Sequence, residues 1–169
     1  MLYTDGACLG NGIRKARAGC AFVFNGTPEG TRSHPLEQTG PNNVKYRHTN
    51  NRAEMRAAIG ALKFRPWWTE GWQRVVITTD SEYVSKGATE WLQRWARSSW
   101  RTSGGFMVTN KDLWMALSAA IGEYTRAGCE ISFWRVPRSA NTVADAAAKA
   151  AAERTDGRDR YCHAVATLV

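Results

Sequence analysis

The chain opens with short apolar runs set apart by glycine: Leu2 to Thr4, a stretch containing Gly10-Asn11-Gly12, then Cys20 to Phe24. This pattern predicts a β-hairpin with a long basic turn. Residues 31–40 supply a third strand, kept from the sheet centre by Pro35, which cannot donate to a ladder, and closed by Gly40-Pro41. From Thr49 the period changes. Met55, Ala58, Ile59 and Leu62 recur at helical spacing behind the polar Thr49-Asn50-Asn51, and Pro66 stops the pattern, so a helix packed on a sheet is expected. Arg74 to Thr79 is rich in β-branched residues and ends at Asp80-Ser81, which reads as a buried strand delivering an acid at its C-terminal end, with a short helix from Ser81.

Residues 89–101 place Trp91, Leu92 and Trp95 on one helical face, interleaved with Arg94, Arg97 and Arg101, ahead of the flexible Ser103-Gly104-Gly105. Leu113, Leu117, Ala120, Ile121 and Tyr124 mark the longest helix, ended by Gly128. Glu130 to Val136 is a strand, 137–141 a loop, and the alanine-rich Val143 to Glu153 a last helix with Asp145 near its first turn. The tail from Arg154 to Val169 opens as a charged segment, and Tyr161 to Val169 fits either a strand or a packing tail. A hairpin meander followed by βα crossovers gives an α/β fold with one mixed sheet and helices on both faces. Neither an internal repeat nor a linker interrupts the chain.

Charge narrows the partner. With 23 Lys and Arg against 15 Asp and Glu in 169 residues, the net charge of +8 favours a polyanion, nucleic acid first. No apolar run reaches the roughly 18–20 residues of a membrane span, so no membrane partner is expected. Cys8, Cys20, Cys129 and Cys162 are scattered without a CxxC pair, which predicts reduced thiols in an intracellular compartment.

Four acids stand out by placement: Asp5 inside the first strand, Glu54 inside the first helix, Asp80 at the end of the central strand and Asp145 at the start of the last helix. An acid within a buried strand costs several kcal/mol unless something pairs with it. Oxygen-only donors suit the hard ions Mg²⁺ or Mn²⁺, and two such ions about 4 Å apart serve phosphodiester hydrolysis. Any one of these acids alone would more commonly cap a helix or meet an arginine. Spacing by itself leaves their convergence open.

Thr4-Asp5-Gly6-Ala7-Cys8, Thr49-Asn50-Asn51-Arg52-Ala53-Glu54, Thr78-Thr79-Asp80-Ser81 and Val143-Ala144-Asp145, in that order, closely resemble the signature blocks of type 1 ribonuclease H, in the form seen in eukaryotic members. The resemblance runs from about residue 2 to 153. It implies a catalytic domain over 1–153, followed by a tail over 154–169 that packs on or extends from that domain, and a five-stranded mixed sheet flanked by helices. It also implies that Asp5, Glu54, Asp80 and Asp145 hold two Mg²⁺ ions, with Mn²⁺ as a substitute, and cut the RNA strand of an RNA–DNA hybrid to leave 5′-phosphate and 3′-hydroxyl ends. No small-molecule cofactor is implied, and a monomer is expected.

By the same resemblance Arg47, Thr49 and Asn110 match a pocket that grips a DNA phosphate. Trp91, Trp95, Trp100 and Ser103 lie in the segment of the basic protrusion and DNA-strand channel, Trp100 being favoured as a contact and at least one of Trp91 and Trp95 being assigned to packing. Asn11, Asn50 and the backbone near Cys8 match positions facing the RNA strand. Phosphate contacts position a duplex, while 2′-hydroxyls tell RNA from DNA.

The chain departs from the family in one loop. Where members carry a histidine in a Val-x-Gly-His pattern, Val136-Pro137-Arg138-Ser139 puts Ser139, with no nearby side chain marked as a replacement. Serine is a poor general acid at neutral pH, so weaker turnover or a greater need for Mn²⁺ is expected. His34, His48 and His163 lie elsewhere, His48 reading as a surface residue, and Asn141 aligns only loosely with an asparagine found in some members' loops. Two other functions fit: a hybrid-binding module with little catalysis, and the ribonuclease H segment of a retroelement polyprotein. No hybrid-binding segment of the kind that precedes many eukaryotic catalytic domains lies in these residues, so low processivity is expected.

Overall fold

The computed structural model describes residues 1–162. Strands β1 (Leu2–Leu9), β2 (Arg17–Val23) and β3 (Thr31–Pro35) form an antiparallel meander. The later strands β4 (Arg74–Thr79) and β5 (Glu130–Arg135) join in parallel, giving a five-stranded mixed sheet in the order β3-β2-β1-β4-β5. The third strand is shorter than the 31–40 expected. It stops at Pro35, on the sheet edge where a missing N–H costs nothing.

Helices cover both faces, and two glycines show why they can. A side chain on Gly6 would stand 2.1 Å from the Glu54 backbone nitrogen in α1 (Asn50–Lys63). A side chain on Gly19 would stand 2.5 Å from the Ala148 carbonyl oxygen in α5 (Thr142–Glu153). Gly19 pairs with Ala7, and neighbouring residues of a strand point to opposite faces, so α1 and α5 sandwich β1 and β2. The α1 face carries the large core, in which Phe22, Met55, Ile59 and Ile77 pack with Leu113 and Trp114 of α4 (Lys111–Arg126). The α5 face is built of alanines, Ala7 and Ala21 against Ala148, and small side chains let that helix lie close.

The tryptophan segment differs from its expected 89–101 helix. Helix α2 (Glu82–Lys86) runs through a π-helical turn, Gly87–Trp91, into α3 (Leu92–Arg97). A Cβ on Gly87 would meet the Trp114 ring at 2.0 Å, so only glycine lets this stretch seat on the core. Helix α3 stops at Arg97 because Ser99 and Trp100 take left-handed backbone angles, and the Trp100 carbonyl accepts from Val108 N at 3.0 Å, closing a loop. The tail up to Cys162 lies against the sheet edge: Thr39 N donates to Asp159 O at 2.8 Å, and the buried Arg56 guanidinium stacks 4.5 Å from the Tyr161 ring. What was expected of 163–169 falls outside the described residues. Cys8, Cys20, Cys129 and Cys162 form no disulfide among the described residues. Among the described residues no helix is long and apolar enough to cross a membrane.

Candidate active site

The strand register brings two acids together. Tyr3 pairs with Thr78 across the parallel β1–β4 ladder, so Asp5 and Asp80, each two residues on, come side by side where the strands diverge. The carboxyl end of parallel strands at such a crevice is where open α/β sheets place their sites. Gly6 lets α1 press onto β1, which delivers Glu54, and the alanine face of α5 delivers Asp145.

The acids feel one another. Burial, and after it the charge of Asp80, pushes the Asp5 carboxyl up to about 7; Asp145 and Glu54 add to this and a backbone hydrogen bond at Gly6 opposes it. Burial also lifts Glu54 to about 7, against a hydrogen bond from Ser81 and with the charge of Asp80. Asp5 Oδ2 is buried and has no hydrogen-bond partner. Asn50 Nδ2 donates to Glu54 Oε1 at 2.6 Å, and Ser81 Oγ donates to the other oxygen while accepting from Val84 N to cap α2. Lys149 pairs with Asp145 at 2.6 Å along the helix.

Among the described residues no three His, Cys, Asp or Glu side chains form a ready-made metal cage. The donor set still fits a hard divalent ion: it is all oxygen, it contains an orphaned buried carboxylate oxygen, and its repulsion is what a cation relieves. An open arrangement of this kind leaves room for water and substrate oxygens, which Mg²⁺ retains as ligands.

The loop after β5 holds what the sequence did not reveal. Arg138–Ala140 is a single 3₁₀ turn, and it aims Arg138 rather than Ser139 at the acids. Arg138 Nε donates to Asp80 Oδ2 at 3.2 Å. Buried Asn141 donates through Nδ2 both to Asp80 Oδ1 and to Thr4 O, each at 3.0 Å. A cation one place before the expected histidine was the available signal for Arg138.

The other predicted contacts fall into three groups. Asn11 Oδ1 accepts from Asn50 N at 3.3 Å, which docks the hairpin turn beside Glu54. Thr49 caps α1 by accepting from Arg52 N, and Arg52 Nη1 reaches Asn110 Oδ1 at 3.3 Å, so Arg52 joins two of the three residues assigned to a phosphate pocket. The third, Arg47, is exposed and makes no ion pair or hydrogen bond among the described residues. Trp91, Trp95 and Ser103 line an open cavity of about 350 Å³ with Arg94 and Arg101. Trp95 packs on Trp114 at 5.4 Å between ring centres, and both Trp95 and Trp100 lean on the core. His48 is half-buried rather than a surface residue: its Nδ1 accepts from Ala18 N at 3.1 Å, and burial, then the Arg52 charge, lowers its pKa.

Residues 1–153 match the family model described as RNase H. The chain is 40% identical over 116 residues to a ribonuclease H of Cyanothece, covering 69% of this chain and 66% of that protein. It is 34% identical over 160 residues to human ribonuclease H1, covering 92% of this chain and 51% of the human protein. The chain thus spans about two thirds of the first and half of the second. The crystal structure of RNase H1 from Halobacterium salinarum superposes with a TM-score of 0.53 at 27% identity, over 89% of this chain and 94% of that one.

Proposed function

The chain belongs to the ribonuclease H family, and from that premise we propose that it cuts the RNA strand of RNA–DNA hybrids at the cleft between β1 and β4. The observation that carries this is Asp5: a buried carboxylate with an orphaned oxygen, set beside Asp80 and under the charges of Asp145 and Glu54. Asp5, Glu54, Asp80 and Asp145 would hold two Mg²⁺ ions, or Mn²⁺ in their place. When bound, such ions activate the attacking water and stabilise the departing 3′ oxygen, leaving 5′-phosphate and 3′-hydroxyl ends.

The protein's own groups bind and orient. Asn50 and Ser81 fix the Glu54 carboxylate by hydrogen bonds to its two oxygens, and Asn141 fixes Asp80 against β1. Arg47, Thr49 and Asn110 grip a phosphate of the DNA strand, with Arg52 holding the last two in register. Asn11 and Asn50, on the near side of Glu54, face the RNA strand, where 2′-hydroxyls discriminate RNA from DNA. Trp91, Trp95 and Ser103 with Arg94 and Arg101 form the wall along which the DNA strand runs, and Trp100, next to Arg101 in the chain, is assigned to the same strand.

The test is cleavage of an end-labelled RNA strand, annealed to DNA, annealed to RNA or left single, with Mg²⁺, Mn²⁺ or EDTA. Cuts confined to the hybrid and lost in EDTA are expected, and Asp80→Asn should abolish them while leaving the circular dichroism spectrum unchanged. Equal cleavage by that variant would overturn the assignment. Hybrid binding without cuts in either metal would make the chain a binding module.

A further inference from the structure

Arg138 reaches the acid cluster from the loop that follows β5. Its Nε donates to Asp80 Oδ2, and its positive charge is felt at Glu54, Asp5 and Asp145 as well. Lys149, by contrast, is tied to Asp145 one helical turn away on α5. The Arg138 side chain is 73% exposed while that of Asp80 is 12% exposed, so the guanidinium reaches in from solvent to a sheltered carboxylate.

The loop is hydrogen-bonded at its base, while this side chain is exposed and held only at Asp80. Ala140 N donates to Pro137 O at 2.9 Å and Asn141 N to Arg138 O at 3.0 Å, closing the turn, while the buried Asn141 amide pins the turn to Thr4 and Asp80. The backbone of Arg138 therefore stays beside the cleft whichever way its side chain turns. A guanidinium and a divalent ion compete for the same lone pairs of Asp80 Oδ2. A displaced guanidinium is a forked, permanently charged donor within reach of the same crevice, the geometry that matches two phosphate oxygens. It cannot deliver a proton, so its contribution is electrostatic.

We propose that Arg138 is a phosphate-contacting residue of the cleft, held on Asp80 in the free protein and passed to the phosphate of the bound RNA strand when a divalent ion takes Asp80. This rests on the reading of the four carboxylates as a metal site. It makes Arg138, not Ser139, the residue through which this loop acts, and it sets a higher metal requirement for the free protein, since the ion must displace an internal cation.

The experiment is calorimetric titration of the full chain with Mn²⁺ for the wild type, Arg138→Ala, Arg138→Lys, Asp80→Asn and the remote charge control Arg74→Ala, followed by hybrid cleavage at saturating Mn²⁺. Arg138→Ala should bind Mn²⁺ about three- to fivefold more tightly, the scale of one partly exposed ion pair, and Arg74→Ala should not. Its kcat should fall by about 100-fold, the scale for removal of one charge-stabilising donor, with Arg138→Lys between it and the wild type. A change that merely loosened the fold would weaken Mn²⁺ binding instead. Unchanged or weaker Mn²⁺ binding by Arg138→Ala overturns the proposal, as does tighter binding with full turnover. Absence of Mn²⁺ binding in the wild type and Arg138→Ala alike overturns the metal site itself, and the proposal with it.

Discussion

At the scale of single residues, the four acids were legible because each stands in or at the end of an apolar element, where an unpaired carboxylate is costly and calls for an explanation. The basic residues of α1 carried no such mark. Arg52 and Arg56 interrupt the helical pattern, yet both are buried, because their partners Asp112 and Glu37 lie 60 and 19 residues away in sequence. Arg52 forks onto Asp112 at 2.9 and 2.7 Å, stacks 3.8 Å from the Tyr46 ring and reaches Asn110. Removing one partner of a buried pair leaves the other charge stranded, so Arg52→Ala should lower stability by about 3–5 kcal/mol in urea denaturation. The double variant Arg52→Ala/Asp112→Ala should lose less than the two single variants together, since the stranded charge is gone. A loss below about 1 kcal/mol in the single variant would show the pair to be dispensable.

At the scale of elements, strands and long helices followed from periodicity, and the order of the blocks placed the acids on separate elements. How close the elements lie was not visible, because it depends on what is missing from a side chain. Gly6 and Gly19 offer no side chain for a hydrophobic pattern to register, and in the fold they are the positions at which α1 and α5 touch the sheet. The π-helical turn at Gly87–Trp91 was hidden for the same reason: its cause is the Trp114 ring beneath Gly87, on an element 24 or more residues later. Gly6→Ala should therefore cost about 3 kcal/mol, the upper range for overpacking, because the obstructing atoms are backbone atoms of Ala53 and Glu54 that cannot turn aside. Cleavage should fall further than stability alone accounts for, since the same shift carries Glu54 away from Asp5. Gly104→Ala, where the nearest atom is a Phe106 ring carbon at 3.4 Å, is the control, and its thermal midpoint should match the wild type.

At the scale of the whole molecule, net charge and acid cluster pull in opposite directions: a chain of +8 gathers four of its 15 acids in one cleft. The charge was readable from composition. The cleft was readable only as four separate acids, because the register of β1 on β4 that joins Asp5 to Asp80 is a property of the sheet. This concentration links folding to pH and metal. Asp5 and Glu54 rise from 3.8 and 4.5 to about 7 in the folded state. Between about pH 4 and 7 the folded chain then holds more protons on them than the unfolded chain, so their contribution favours folding at low pH and is lost as pH rises through 7. His34 acts oppositely: burial, then the Arg56 charge, lowers it from 6.5 to about 3, so its contribution is lost as pH falls below 6.5. The two trends overlap in the plain pH profile of stability, but only the carboxylates compete with a metal for their protons. The rise in thermal midpoint on adding Mn²⁺ should accordingly be small at pH 5.5 and several degrees larger at pH 8. Asp80→Asn should reduce that difference, because it removes both a donor and the charge that, after burial, does most to raise the Asp5 pKa. A metal-induced shift of equal size at both pH values would mean that the ion binds away from Asp5 and Glu54.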